Sequence, residues 1–311
     1  MNTKHHSYVG TMTASLAGGV VLAMTASAPA AVLVYDGFEA SGDGSGSAYQ
    51  ADTSVVGQSD ARTGFAGAWA DTGATLAPSV NFNPRTTGLT YAGYSPNDAG
   101  SLEAYRSTGN HIGSAKQVSR SLDYASPGTD DYYVSFLLEY DGTADDDTTI
   151  TLAEPGTNTT DRDATFSLDH ATDQLTFTPA GSTADTYSET LNSGSNLIVL
   201  RAIYDAGDAS GNNPSADFYD QYEIWINPTI SGDDLGAADA AGFGILRSFT
   251  GGATPLPFTD LRFTHSLNTA HVTLDEFMIS QSTDSFLVPE PASLTLLGAG
   301  GLLMLLRRRP A

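Results

Sequence analysis

Alternation with a period of two runs through the middle of this sequence and restricts the fold more than any other feature. Tyr132, Val134, Phe136, Leu138 and Tyr140 fall on one side of an extended chain, with Ser135 and Glu139 on the other. A strand turns successive side chains to opposite faces, so the pattern predicts a strand with one face buried. Phe218, Tyr222, Ile224 and Ile226 alternate with Gln221 and Glu223 in the same way, although Asp220 interrupts the apolar side. Residues 197–204 are apolar almost without a break, which suits a central strand covered on both faces. Further strands are predicted at 32–36, 117–123, 164–169, 174–178, 259–264 and 271–280. Turn-forming groups separate them, among them Asp141-Gly142, Ser193-Gly194-Ser195 and Gly211-Asn212-Asn213-Pro214. Between the two ends no window carries a helical stripe. The stretch from Asp233 to Ala241 is the one candidate for a short helix, and Gly236 weakens it. The expected fold class is all-β, a two-sheet antiparallel jelly-roll sandwich over residues 31–287. An N-terminal signal helix and a short C-terminal transmembrane helix are expected to flank it.

Residues 37–88 break the rhythm. Clusters such as Ser41-Gly42-Asp43-Gly44-Ser45 hold few strand-forming runs, yet an unstructured loop of that length is unusual inside a compact domain. The segment is expected to wrap along the sandwich with Phe65 and Trp69 as anchors, and 41–47 reads as a flexible linker. No repeat of about 20–50 residues is present, which disfavours a solenoid or propeller.

Charge narrows the function. Among 311 residues, 13 are Lys or Arg and 36 are Asp or Glu, for a net charge of −23. Phosphate contacts rely on Lys and Arg, so nucleic acid is not an expected partner. The absence of cysteine excludes a disulfide framework, a thiolate zinc site and a cysteine nucleophile.

The two ends read as addresses. Residues 1–30 combine Lys4, an apolar stretch from about Ala14 to Ala26, and the small residues Ala28 and Ala30, with cleavage expected after Ala30. That is a secretory signal, which implies the general secretion machinery as a partner. Residues 288–311 hold Pro289-Glu290-Pro291, then a short apolar run to Leu306, then Arg307, Arg308 and Arg309. Arginines kept in the cytoplasm would orient the run with the body outside, and its length suits a transient anchor in the inner membrane. This tail resembles the PEP-CTERM sorting signal of Gram-negative, biofilm-forming bacteria, with all three parts in order. The resemblance implies that an exosortase, a membrane-embedded transpeptidase-like protease, cuts near the motif, so Pro289, Glu290 and Pro291 are substrate residues. The body would then reach the cell surface or extracellular matrix. Without residues 1–30 and 290–311 the net charge is −26.

The body resembles exported concanavalin A-like or laminin-G-like jelly rolls through Tyr35-Asp36-Gly37-Phe38-Glu39, Gly64-Phe65-Ala66-Gly67-Ala68-Trp69, the strand from Tyr132, Ile224-Trp225-Ile226-Asn227-Pro228 and Leu274-Asp275-Glu276-Phe277. That superfold hosts lectins, glycosidases and structural modules, so chemistry has to be sought in the residues. Glycosidases need two carboxylates flanking the scissile bond. The nearest approximations are Glu139-Tyr140-Asp141 and Asp275-Glu276, and neither has a second glutamate at the spacing of jelly-roll glucanases; outward-facing acids at strand ends explain both. No Gly-x-Ser-x-Gly or His-Glu-x-x-His motif is present. His265 and His271 lie on neighbouring predicted strands and could meet. Calcium is a candidate cofactor at two acidic loops, one with Asp141, Asp145, Asp146 and Asp147, the other with Asp205, Asp208 and Asp217, against the reading of solvated acids. Trp69, Tyr91, Tyr94 and Tyr105 are candidates for sugar contact, set against plain core packing. Trp225 either packs under the second sheet or lies exposed. The reading reached is a non-enzymatic exported protein that associates with extracellular polysaccharide. Its alternatives are a glycan-active hydrolase or lyase with an atypical acid pair, and a structural surface or adhesin-like protein without a small ligand.

Overall fold

A computed structural model describes residues 31–41, 48–59, 63–72, 80–95, 100–106, 115–124, 130–141, 147–153, 164–179, 186–205, 218–231, 234–244, 258–266 and 271–287. Seventeen strands follow in chain order: β1 (Val32–Asp36), β2 (Ala40–Ser41), β3 (Tyr49–Gln50), β4 (Phe65–Asp71), β5 (Val80–Arg85), β6 (Ser101–Arg106), β7 (Lys116–Leu122), β8 (Tyr132–Asp141), β9 (Asp147–Ala153), β10 (Ala164–Asp169), β11 (Gln174–Thr178), β12 (Tyr187–Thr190), β13 (Asn196–Asp205), β14 (Phe218–Ile226), β15 (Ala240–Gly244), β16 (Asp260–His265) and β17 (His271–Ser280). One 3₁₀ turn, Thr283–Ser285, comes after them.

The strands form two antiparallel sheets. The larger runs β15-β14-β13-β8-β17-β6-β5, with β1 added beside β17, and the smaller runs β12-β11-β10-β9-β16-β7-β4. A short parallel pair, β2 and β3, stands apart. The inner faces carry the alternating apolar residues. Val134, Phe136 and Leu138 of β8 and Ile198 and Leu200 of β13 meet Ile150, Phe166, Phe177 and Phe263 of the smaller sheet in one buried cluster. Phe136 and Phe166 pack edge to face at 5.1 Å, as do Phe82 and Phe263 at 5.2 Å. Each such side chain contributes roughly 1.5–3 kcal/mol by leaving water.

At one corner the core holds a charge. Arg120, 1% exposed, reaches Asp36 at 3.1 Å and also donates to the Tyr49 hydroxyl, which in turn donates to Asp36 Oδ2 at 2.6 Å. Trp69 Nε1 donates to the same hydroxyl at 3.2 Å, and the Phe65 ring lies 4.6 Å from the guanidinium carbon. Phe65 and Trp69 thus anchor the segment 37–88. That segment is richer in strands than its composition suggests, supplying β2 and β3 and two sheet-edge strands, β4 and β5.

Two expectations change. No helix forms at Asp233 to Ala241: the described residues 234–239 are irregular and Ala240 begins β15, because Gly236 stands at φ +73° and cannot continue a helix. Trp225 packs neither beneath the smaller sheet nor in solvent. It lies on the outer face of the larger sheet in a second apolar cluster with Tyr94, Leu137, Leu197, Val199, Met278 and Phe286. The strap formed by residues 281–287 closes this cluster, with Ser95 N donating to the Phe286 carbonyl at 2.7 Å and Tyr94 bridged to Leu287. Among the described residues no helix is long and apolar enough to cross a membrane. The terminal signals, including Ala28, Ala30, Pro289, Glu290, Pro291, Arg307, Arg308 and Arg309, lie outside the described residues.

Candidate functional site

Strand register sets out polar side chains on the outer face of the larger sheet in two adjacent rows. Phe82, Leu102, Ala104, Val272 and Leu274 face the core, so their neighbours on β5, β6 and β17 face outward. One row is Asn83, Glu103, Thr273 and Glu139, and the next is Asn81, Tyr105, His271 and Asp141, each running across β5, β6, β17 and β8. The rows interlock. Asn83 Nδ2 donates to the Tyr105 hydroxyl at 3.1 Å. Glu103 Oε1 lies 2.9 Å from His271 Nδ1, while Oε2 accepts from Arg85, whose guanidinium also pairs with Asp52. The His271 ring stacks on Tyr105 with centroids 5.7 Å apart and planes 11° apart, and the Arg85 guanidinium carbon lies 5.1 Å from the Tyr105 centroid. Partial burial works against the charge on Arg85, and Glu103 and Asp52 outweigh it, so its pKa rises. The His271 side chain keeps 44% of its surface in solvent and Arg85 keeps 31%. Donors, acceptors and a flat aromatic stack therefore sit together on a rigid sheet, the equipment for binding a hydroxyl-rich ligand.

Of the four aromatic candidates, the structure brings only Tyr105 into this group. Trp69 lies in the core beside Tyr49 and Phe38. Tyr94 is buried beneath the strap, where its hydroxyl donates to the Glu276 carbonyl at 3.0 Å and desolvation raises its pKa. Tyr91 is half-buried, with its hydroxyl on the Pro228 carbonyl at 2.9 Å. The other members, Asn83, Arg85, Glu103 and His271, escape sequence reading because the contact between Glu103 and His271 spans 168 residues.

Asp275 and Glu276 overturn the expectation of outward-facing acids, since both are fully buried. They form a bulge at the point where β17 changes partner, from β6 along Val272–Leu274 to β1 along Phe277–Ser280. Asp275 accepts from Leu89 N at 2.6 Å and from Glu276 N at 2.8 Å, and Glu276, at φ +52°, accepts from the Tyr35 hydroxyl at 2.6 Å. Burial, and then the charge of Glu276, push Asp275 up to about 9. The pair Glu139 and Asp141 sits at the sheet surface, where Glu139 accepts from Ser195 at 3.2 Å.

His265 and His271 do not meet. They belong to different sheets, and His265 is instead joined to His170 through Thr148 Oγ1, at 2.9 and 3.0 Å. Among the described residues no group of three or more His, Asp or Glu is arranged to hold a metal ion. Asp141 and Asp147 stand exposed at the ends of β8 and β9, and Asp205 ends β13, but Asp145, Asp146, Asp208 and Asp217 lie outside the described residues.

No protein-family model matches the sequence, and no curated protein matches it. Solved structures similar to it include a Bacillus subtilis protein of unknown function with a galectin-like fold, at TM-score 0.36 and 10% identity, over 69% of this chain and 89% of that one. A carbohydrate-binding module from Bacillus subtilis is similar at TM-score 0.33 and 10% identity, over 68% and 94%. The botulinum neurotoxin serotype D binding domain is similar at TM-score 0.35 and 9% identity, over 65% of this chain, which spans less than half of that domain's length at 44%.

Proposed function

We propose that this chain is an exported, non-enzymatic protein that binds extracellular polysaccharide through the two polar rows around Tyr105. The observation that carries the reading is the interlocked set of Asn83, Arg85, Glu103, Tyr105 and His271 on three neighbouring strands, with Arg85 and His271 partly in solvent. A sugar presents hydroxyls that both donate and accept, and a C–H face that packs on an aromatic ring. The terminal sequences support export through the general secretion machinery and sorting by an exosortase-type protease to the surface or matrix, with the inner membrane a transient stop. Calcium would bind at the acidic loops through Asp141, Asp147 and Asp205. Against a glycan-active enzyme, Asp275 and Glu276 are sealed from solvent and committed to backbone and tyrosine partners.

The polymer class follows from charge. The body carries −26, and acids outnumber bases in the rows, so a neutral glycan is favoured over a polyanion. A glycan array probed with the body, with and without calcium, tests the reading. Retention on neutral polymers that weakens about tenfold, or roughly 1.4 kcal/mol, in Tyr105→Ala or His271→Ala supports it. Background signal on every glycan sinks it.

A further inference from the structure

We infer that the same outer face carries a second sugar-binding cluster centred on Arg201, so that one polysaccharide chain engages the protein at two places. The inference rests on the binding reading above. Arg201, on β13, repeats the surroundings of Arg85 with different residues. Two carboxylates hold it, Asp131 at 2.6 and 3.0 Å and Glu223 at 2.9 Å, and the Tyr133 ring centroid lies 5.9 Å from its guanidinium carbon. Arg85 has the matching pair, Asp52 and Glu103, and the matching ring, Tyr105. Exposure matches as well, at 32% for the Arg201 side chain and 31% for Arg85.

Register places both clusters on one face. Arg201 pairs with Tyr133 of β8 and with Glu223 of β14, outside the inward-facing Leu200, Ala202 and Ile224. A guanidinium has five N–H donors, and the hydrogen bonds of Arg201 commit three nitrogens in one direction each, leaving N–H groups for a further acceptor. A vicinal diol suits such a pair: one hydroxyl accepts from the guanidinium while the other donates to the neighbouring carboxylate. Neither cluster has excess positive charge, so both suit the same neutral ligand.

The separation decides how the two would act. Three strand spacings lie between β13 and β6, and eight residues of β8 separate Tyr133 from Asp141, the register partner of His271. At about 4.8 Å per strand and 3.3 Å per residue the clusters stand on the order of 30 Å apart. A trisaccharide fills one cluster at a time, whereas a polymer that passes over the strap and Tyr94, which cover Ser135 and Leu137 between the clusters, reaches both and gains the effective concentration of a tethered second site.

Isothermal titration of the protein with dextran, laminarin, levan and xylan, each as polymer and as trisaccharide, tests the inference. The expected result is two trisaccharides per chain, and polymer binding tighter by roughly a hundredfold or more. Arg201→Lys combined with Glu223→Gln should lower the trisaccharide count to one and remove most of the polymer's advantage, with the Tyr105 cluster unaffected. If that double variant unfolds, Glu223→Gln alone, which keeps the side-chain shape, should weaken the polymer at least severalfold. One trisaccharide per chain in the unaltered protein, or polymer affinity indifferent to both changes, overturns the second cluster while leaving the first. No binding by any of the eight probes overturns the binding reading and this inference with it.

Discussion

Asp275 is a carboxylate placed where water cannot reach it, beside a second buried acid and within the field of Asp36. Its folded-state pKa, about 9, stands above the ordinary 3.8. A raised folded pKa means that the group's contribution to stability is complete below about pH 4 and is lost as pH climbs through about 9. Asp275→Asn keeps an acceptor for Leu89 N and cannot ionise, so the melting temperature of the variant relative to the parent should rise steadily between pH 5 and pH 9; parallel curves would refute the assignment. Arg120 illustrates the opposite case, a buried cation matched to Asp36. Arg120→Met takes the cation away from a buried carboxylate that also accepts from the Tyr49 hydroxyl and Phe38 N, and should cost about 3–5 kcal/mol in denaturant unfolding. A far smaller loss would mean that Asp36 is satisfied without the guanidinium.

At the level of elements, the strap and the glycine contacts fix how loops meet sheets. Phe286 is fully buried and touches the Tyr94 and Tyr133 rings, so Phe286→Ala should cost about 3–5 kcal/mol and increase the exposure of Trp225, read by its fluorescence. Gly64 has φ +74°, and a Cβ there would stand 2.1 Å from the Leu33 carbonyl oxygen. Gly64→Ala should therefore unfold at clearly lower denaturant than the parent, since backbone must move to admit the methyl. Strands with an alternating or continuous apolar run were readable from sequence: β1, β7, β8, β10, β11, β13, β14, β16 and β17 lie within a residue or so of expectation. Those that escaped have physical reasons to do so. β5 contains Pro84, tolerated because β5 is a sheet edge, and β4 is an alanine-rich edge strand interrupted by Gly67. β9 begins in an acidic run and takes its place from β10 and β16 on either side. Trp225 and Asp275 could not be placed because segments far away in sequence cover them. Of the candidate site only Tyr105 was legible, since its partners arrive through register across β5, β6 and β17.

For the molecule as a whole, acidity is the dominant long-range property. A body at −26 repels itself most when counterions are scarce. Raising monovalent salt from about 10 mM to 150 mM shortens the screening length from about 30 Å to 8 Å. The melting temperature should therefore rise over that range, and a fall would show that attractive ion pairs such as Arg201 with Asp131 outweigh the repulsion. The strap also gives the molecule a mechanical property. Phe286 and Leu287 are the last described residues, seated on the outer face and bonded across to Ser95 and Tyr94. Tension applied beyond Leu287 meets them first and lifts them one after the other, like tape from a surface, while β17 remains clamped by β8, β6 and β1 along its length. The strap is therefore the part of the fold that such a pull loads first, ahead of the sheets behind it.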